Sequence, residues 1–313
     1  MQLADINSPA RGAYAQLDDL IALRFPAKQL KLGRRTRALS NLAGPIKSNF
    51  RGRGIDFEEV RTYQPGDDIR TIDWRVTART GSAHTKLFRE ERERPVLVVV
   101  DQRSSMFFGS SHCFKSVLAG YLGSLLAWSA LNAGDRVGGL VFNEAGHQEI
   151  RPRRSRKTVL MLLSQIMGYN TALPLGTSNA QDSFTHMLSN LRRIARPGSS
   201  LFLISDFRGA SAEGAREHLF QLAKHTELTA VACADPLEAE LPKAGSYAVT
   251  NGNERSELHT GDRQLRRNYR LQLQQQRELL TADLVRLGVP LLQASTDEAP
   301  FSLLQKYYMD SRR

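Results

Sequence analysis

The chain has 313 residues, of which 41% are hydrophobic and 24% charged, and its formal net charge is +11. This length suits one large domain or two smaller ones. The sequence has no uninterrupted apolar run near the ~18 residues that a membrane-spanning helix needs, and its first residues include acids where a signal peptide would be basic and then apolar. We therefore expect a cytoplasmic protein. Its charge favours an acidic or anionic partner without choosing one.

The first third of the chain predicts little regular structure. Residues 1–33 predict one amphipathic helix, around residues 14–25. Residues 34–54 are basic and rich in glycine, which is typical of a loop. DFEEVRTY (56–63) and HTKLFREE (84–91) predict two short strands, and Gln64-Pro65-Gly66-Asp67 predicts a turn. Since these strands are too short and charged for a core of their own, we expect residues 34–94 to form a small β-rich appendage.

From residue 95 to 313 the pattern alternates between strands and helices. Apolar runs predict strands at 95–101, 136–142, 200–206, 228–235 and 288–294, with helical patterns between them. Continuous apolar runs of this kind are typical of parallel strands buried on both faces. The sequence therefore predicts an α/β fold, a doubly wound, mostly parallel sheet in three layers.

Three of these runs end in an aspartate, namely Asp101, Asp206 and Asp235. Ligands of open parallel sheets bind beyond the carboxyl ends of the strands, so the carboxylates gather where a site is expected. Ser104 and Ser105 follow the first of them. Carboxylate and hydroxyl oxygens are ligands that suit a hard cation such as Mg²⁺.

Longer stretches carry a family resemblance. They are GRGIDFEEVRTYQPGDDIRTIDWRVTARTG (52–81), KLFREERERPVLVVVD (86–101), the Asp-Gln-Arg-Ser-Ser run after it, GDRVGGLVF and LFLISDF. Together they resemble the bacterial domain-of-unknown-function 58 family, whose C-terminal part is similar to a von Willebrand factor A domain. The resemblance implies an A-domain fold, and no catalytic activity is established for the family. It also implies a link to MoxR-type AAA+ ATPases, chaperones in the assembly or activation of other complexes, and to other A-domain proteins.

A-domains carry a metal-ion-dependent adhesion site with the pattern Asp-x-Ser-x-Ser, a later Thr and a later Asp. By resemblance Asp101, Ser105 and Asp206 correspond to three of these ligands, and Thr177 to the threonine, with Thr171 as the alternative. Arg103 stands where the pattern has its first serine. A guanidinium has only donors and cannot ligate a cation.

Three interpretations of this rim remain open. Mg²⁺ binds through Ser105, Thr177, water and the carboxylates, because it tolerates retained waters. Alternatively, Arg103 takes the place of the cation and pairs with Asp101 or Asp206, so that metal binding is weak or absent. The rim residues Arg103, Ser104 and Asp235 then offer contacts to a partner. Finally, the aspartates only cap helices and loops.

The 52–81 segment concentrates charge. One hypothesis is that this segment is a docking surface for a partner. The other is that its charges form a network of salt bridges and turns that holds the appendage together, with Tyr63 and Trp74 as core anchors. The candidate docking residues are Arg61, Asp67, Asp68, Arg70, Asp73, Trp74 and Arg75.

The favoured function is a non-enzymatic protein-interaction module that acts with a MoxR-type ATPase and captures an acidic partner group at the rim. The alternative is a metal-dependent nuclease or phosphatase that uses the three strand-end aspartates. The Ser104-Ser105 pair fits an adhesion site better, so nucleic acid is not the expected partner. Peripheral membrane contact through the basic loops at 34–53 and 151–157 is a third class. The sequence has no GxxxxGK[ST], HExxH, CxxC or GxSxG motif.

Overall fold

In the computed structural model, which describes residues 6–32, 42, 56–64, 67–89, 95–172, 180–250 and 255–309, strands and helices alternate after residue 95. The strands are β1 Asp56–Thr62, β2 His84–Arg89, β3 Pro95–Asp101, β4 Arg136–Phe142, β5 His147–Arg153, β6 Ser200–Ser205, β7 Glu227–Ala234, β8 Ser246–Thr250, β9 Arg255–His259 and β10 Leu291–Ser295. The α-helices are α1 Leu17–Ala22, α2 Trp74–Thr80, α3 Lys115–Ala133, α4 Arg156–Thr171, α5 Ala180–Ile194, α6 Glu213–His225, α7 Pro236–Ala239, α8 Arg263–Arg286 and α9 Pro300–Tyr308.

Six strands form one sheet in the order β10-β7-β6-β3-β4-β5. All neighbours are parallel except β4 and β5, which pair antiparallel at the edge. The carboxyl ends of β3, β6 and β7 therefore lie at one rim of the sheet. The predicted α/β fold with a mostly parallel sheet is confirmed.

Helices cover both faces of this sheet. Alternate residues of β3 point to opposite faces, so Val98 packs in a core with α3, α4 and α9, and Val99 in a core with α5, α6 and the end of α8. Gly134 ends α3 with a φ of 90°, a left-handed conformation that glycine adopts without strain.

The chain divides into two compact units, residues 1–48 with 95–313, and residues 49–94. The N-terminal segment belongs to the larger unit because its backbone is bonded to α3. Ser124 Oγ and Trp128 Nε1 donate to the carbonyl oxygen of Leu20, at 2.6 and 3.1 Å, and Leu20 itself is buried. The helix α1 is shorter than the predicted one.

The smaller unit contains the two predicted strands, β1 and β2, which pair antiparallel, and the helix α2, which was not predicted. Two further elements were missed, the edge strand β5 and the β8–β9 hairpin. Both β5 and β9 are mostly exposed and polar, so they lack the apolar run that identified the central strands.

Candidate functional site

The structure brings Asp101, Arg103 and Asp206 together at the carboxyl rim of the sheet. The Nε of Arg103 lies 3.0 Å from both carboxylate oxygens of Asp101, and its Nη2 lies 2.7 Å from Asp101 Oδ2 and 3.3 Å from Asp206 Oδ1. The remaining nitrogen, Nη1, donates to the carbonyl oxygen of Arg208 at 2.9 Å. The guanidinium therefore occupies the space between the two carboxylates.

Arg103 is enclosed as well as paired. Its side chain is 0% exposed, and its guanidinium carbon lies 4.9 Å from the centre of the Phe184 ring and 5.6 Å from that of Phe142. Cation–π contacts of desolvated guanidinium groups stabilise by about 2 kcal/mol. The predicted role of Arg103 in touching a partner is therefore wrong, since no part of its side chain reaches the surface.

The turn after β6 is built around Ser205. Its Oγ donates to Asp101 Oδ2 at 2.6 Å and accepts from the backbone N–H of Phe207 at 2.9 Å. Phe207 has a φ of 58°, which is uncommon for an aromatic residue, and its ring packs against Phe184. This left-handed residue turns the chain directly after Asp206, which helps to fix the Asp206 carboxylate at the rim.

A second half of the cluster was not identified from the sequence. Lys115, the first residue of α3, is fully buried, and its Nζ lies 3.2 Å from Asp206 Oδ2 and 2.6 Å from Glu238 Oε1. Arg208 reaches the same two acids, at 3.5 and 3.2 Å, but its side chain is 60% exposed. Three acids and three bases thus form one network, with Arg208 as its exposed basic member.

One signal could have revealed Lys115. It shares helical spacing with Leu118, Ala119 and Leu122, which are all buried, so the sequence places a charge on an apolar face. A charge in that position needs a buried counter-ion.

The electrostatics of the cluster separate its two aspartates. Burial alone would raise the pKa of Asp206, but Lys115, Arg103 and Arg208 outweigh it and lower that pKa to about 2. Burial raises the pKa of Asp101, and Arg103 opposes this rise. Asp206 is therefore ionised over the physiological range.

The two serines after Arg103 face different surroundings. Ser104 is exposed, and its backbone N–H and its Oγ donate to Glu144 Oε1 at 2.7 and 2.6 Å. The Oγ of Ser105 is buried on the side of Asp206, whose pKa it helps to lower, but it has no hydrogen-bond partner of good geometry among the described residues.

Asp235 follows β7, and its carboxylate is bonded to groups other than Arg103. Its carboxylate caps α7 through the backbone N–H of Leu237 and accepts from the Ser110 N–H at 2.8 Å and from Thr296 Oγ1 at 2.5 Å. Asp235 is 1% exposed, so it has the capping role and not the predicted contact with a partner.

The residues present do not fit the Mg²⁺ site of an A-domain. The guanidinium of Arg103 fills the position between the carboxylates, and its positive charge opposes a cation there. Thr177 lies outside the described residues, and Thr171 bonds to the carbonyl oxygens of its own helix. Within the described residues, no group of three or more His, Cys, Asp or Glu side chains is arranged to hold a metal.

A chain of buried polar contacts leads from this rim to the N-terminal segment. Asn170 donates to Gln102 Oε1 at 3.1 Å, and its own Oδ1 accepts from the backbone N–H of Ala15 at 2.7 Å. Gln102 in turn donates to the Ser116 carbonyl oxygen at 2.9 Å. The loop after β3 is thus fixed to α3, α4 and the N-terminal segment.

In the smaller unit the candidate docking residues serve local turns. Arg61 pairs with Asp67 at 2.7 Å, Asp68 caps the turn at Arg70, and Asp73 caps α2 through the N–H groups of Arg75 and Val76. Trp74, the first residue of α2, was predicted to be a core anchor, but it is 70% exposed. Arg70 and Arg75 are also exposed.

The two cysteines are buried and free, Cys113 beside the rim and Cys233 on β7. Burial raises the pKa of Cys113 to about 12 and that of Cys233 further. Both are therefore neutral thiols at physiological pH.

The sequence profile of the family described as "Protein of unknown function DUF58" matches residues 59–279. The chain belongs to the DUF58 family. This match confirms the predicted family, and it covers the second half of β1, the whole Arg103 cluster and most of α8.

A relative is the uncharacterized protein Rv1480 of Mycobacterium tuberculosis, which is 31% identical over 198 residues. The match covers 63% of this chain and 61% of the relative, so the chain spans about three fifths of that protein.

Solved structures similar to this DUF58 chain include BatB from Bacteroides thetaiotaomicron (15% identity, 68% of this chain and 96% of that one, TM-score 0.44). A von Willebrand factor type A protein from Catenulispora acidiphila matches with 12% identity over 60% of this chain and 42% of that one, at a TM-score of 0.32. The α/β architecture itself rests on the order and direction of the strands in this chain.

A third similar structure corrects one prediction. It is described as an aerotolerance-related membrane protein from Bacteroides fragilis, with 14% identity, 67% of this chain and 94% of that one covered, and a TM-score of 0.43. The predicted cytoplasmic location is contradicted by this neighbour and is withdrawn. In the part of the chain that the structure describes, no helix combines the length and apolar character needed to cross a bilayer.

Proposed function

We propose that this protein is a non-enzymatic interaction module whose sheet rim holds an acidic group of a protein partner without a metal ion. The observation that carries the proposal is the guanidinium of Arg103 between Asp101 and Asp206. The guanidinium of Arg103 balances the charge of the two carboxylates, as a bound metal ion does in an A-domain. The rim therefore keeps its structure without a metal ion.

Arg208 is the residue of this rim that contacts the acidic group of the partner. It is the exposed basic member of the network, and its guanidinium is oriented by Asp206 and Glu238. A guanidinium held in this way keeps N–H groups for a carboxylate of the partner, and fork-like donors favour carboxylates over other acceptors. Ser104 and Glu144 lie on the same rim and offer polar contacts beside it.

The same contacts argue against the nuclease or phosphatase alternative. An acidic cluster that binds metals has carboxylates free to act as ligands. Here Asp101 and Asp206 are each bonded to cationic side chains, and Asp235 caps a helix.

The family resemblance suggests a MoxR-type AAA+ ATPase as the partner, with an assembly or activation role toward a client complex. The test measures binding of the purified protein to the MoxR-type ATPase of the same genome by biolayer interferometry, with and without ATP. We expect Arg208→Ala to weaken binding at least tenfold.

The matched control is Arg286→Ala, which removes an arginine that is 75% exposed at the end of α8, toward the opposite end of the sheet. This variant is expected to bind like the wild type. Equal binding by wild type and Arg208→Ala would place the interface elsewhere. Absence of binding by the wild type would reject this ATPase as the partner.

A further inference from the structure

The helix α8 is long for the amount of core it contributes. It has 24 residues, and within the described chain only Leu284, near its end, is buried. Leu265, Tyr269, Leu273 and Leu280 are half-buried along its inner side, while Leu271 and Leu279 are 48% and 55% exposed. A surface helix normally buries its apolar side chains in one stripe, and packing among the described residues leaves Leu271 and Leu279 of α8 outside that stripe.

Arginines mark one edge of this helix. Arg263, Arg266, Arg267 and Arg270 have the spacing i, i+3, i+4 and i+7, which places them on one side of a helix. Together with Leu271 and Gln274 they line a surface depression of about 260 Å³. We call these four arginines the arginine edge.

Among the described residues, acids pair with only part of this edge. Arg266 and Arg270 share one acid, Glu240, at 3.4 and 2.8 Å. The nearby carboxylate of Asp262 accepts from the N–H groups that begin α8. Arg263 and Arg267 are exposed and have no acidic partner among the described residues.

We infer that the arginine edge of α8 is a docking surface for an acidic segment of a protein partner. Unpaired guanidinium groups one turn apart match carboxylates that are spaced along a peptide, and each can bind one through two parallel hydrogen bonds. The exposed Leu271 beside them gives an apolar contact for a leucine or a similar side chain of the same segment.

Other anionic partners fit this surface less well. The outer side of α8 next to the edge carries Gln264, Gln272 and Gln275 and lacks the apolar stripe that inserts into lipid. No exposed aromatic residue lies on the edge to stack on bases. Hydrogen-bonding amides beside guanidinium groups suit a peptide.

The surface goes beyond the proposed function, since it needs neither Arg208 nor the ATPase. It does lie near the rim, because Tyr269 Oη donates to the carbonyl oxygen of Glu238 at 2.9 Å. A partner could therefore contact both surfaces, and the two are tested by separate variants.

The test uses fluorescence anisotropy of a labelled 14-residue peptide of glutamate and leucine, with a lysine and leucine peptide as the charge-reversed probe. Phosphatidylserine vesicles and 20-base single- and double-stranded DNA are measured in parallel at 150 mM salt. We expect the wild type to bind the acidic peptide in preference to the other probes, and Arg263→Gln/Arg267→Gln to weaken this binding at least tenfold.

The control is Arg196→Gln/Arg286→Gln, which removes the same charge from exposed positions off the edge and should change binding less than twofold. Equal weakening by both double variants would mean general charge attraction and would overturn the inference. Stronger binding of vesicles or DNA than of the acidic peptide, or no peptide binding at all, would overturn it too.

Discussion

Removal of the buried guanidinium tests the central feature of the rim. Arg103→Met keeps an apolar side chain of similar length against Phe142 and Phe184 but removes the cation that, among the described residues, is bonded to Asp101. Asp101 is 0% exposed, so its carboxylate would be left without a counter-ion and without water. Loss of one partner of a buried ion pair costs about 3–5 kcal/mol, and we expect a decrease of that size in the free energy of unfolding.

Urea unfolding at pH 7, followed by fluorescence and circular dichroism, measures this decrease. Two further variants separate charge from packing. Arg103→Lys keeps the charge but loses the two-pronged geometry, so its stability should lie between those of the wild type and Arg103→Met. In Arg103→Met/Asp101→Leu the stranded carboxylate is gone, and part of the lost stability should return.

The pH dependence gives an independent check. The carboxyl group of Asp101 becomes neutral in Arg103→Met once the pH falls below its raised pKa, so the deficit against the wild type should shrink on acidification. A decrease below about 1 kcal/mol at pH 7, or a double variant less stable than Arg103→Met, would show that the pair is not what holds the rim together.

Further predictions concern neighbouring groups. Asp206 has a pKa of about 2 against an ordinary 3.8. The free energy of unfolding of the wild type should therefore exceed that of Asp206→Asn by a component of about 2 kcal/mol that is present above pH 4 and is lost between pH 4 and pH 2. A difference that does not change with pH would contradict this. Since Phe207 has a φ of 58°, Phe207→Gly should be about 1 kcal/mol more stable than Phe207→Ala in urea, and the reverse order would refute strain at this turn. Asn170→Ala should lower the free energy of unfolding by about 1–3 kcal/mol and speed hydrogen exchange at the Ala15 amide, which loses its acceptor. Unchanged exchange at this amide would mean that the bond is dispensable. Because Arg103 fills the cation position, 10 mM Mg²⁺ should leave the Tm of the wild type within 1 °C, and a clear rise would show a metal site.

The sequence was sufficient for the five parallel strands of the sheet because each of them carries an apolar run. Asp101 and Asp206 both end such runs, and parallel strands bring their carboxyl ends to one rim, so their proximity to Arg103 could be predicted. The burial of Arg103 could not, because the enclosing rings come from β4 and α5, which are distant in sequence.

Polar elements were the least predictable. The edge strand β5 and the hairpin of β8 and β9 lack the long apolar run of the central strands, and most side chains of β5 and β9 face solvent. The prediction that Trp74 is buried was wrong for a related reason. An aromatic residue at the start of a helix is buried only if another element covers it.

The buried thiols have a practical consequence. Cys113 and Cys233 are buried and remain protonated at neutral pH, so alkylating and maleimide reagents should not react with them in the folded protein. A single cysteine introduced at an exposed position of α8 or beside Arg208 could then be labelled selectively without replacing either native one. Site-directed cross-linking from such positions could capture whatever docks on each surface in a cell lysate.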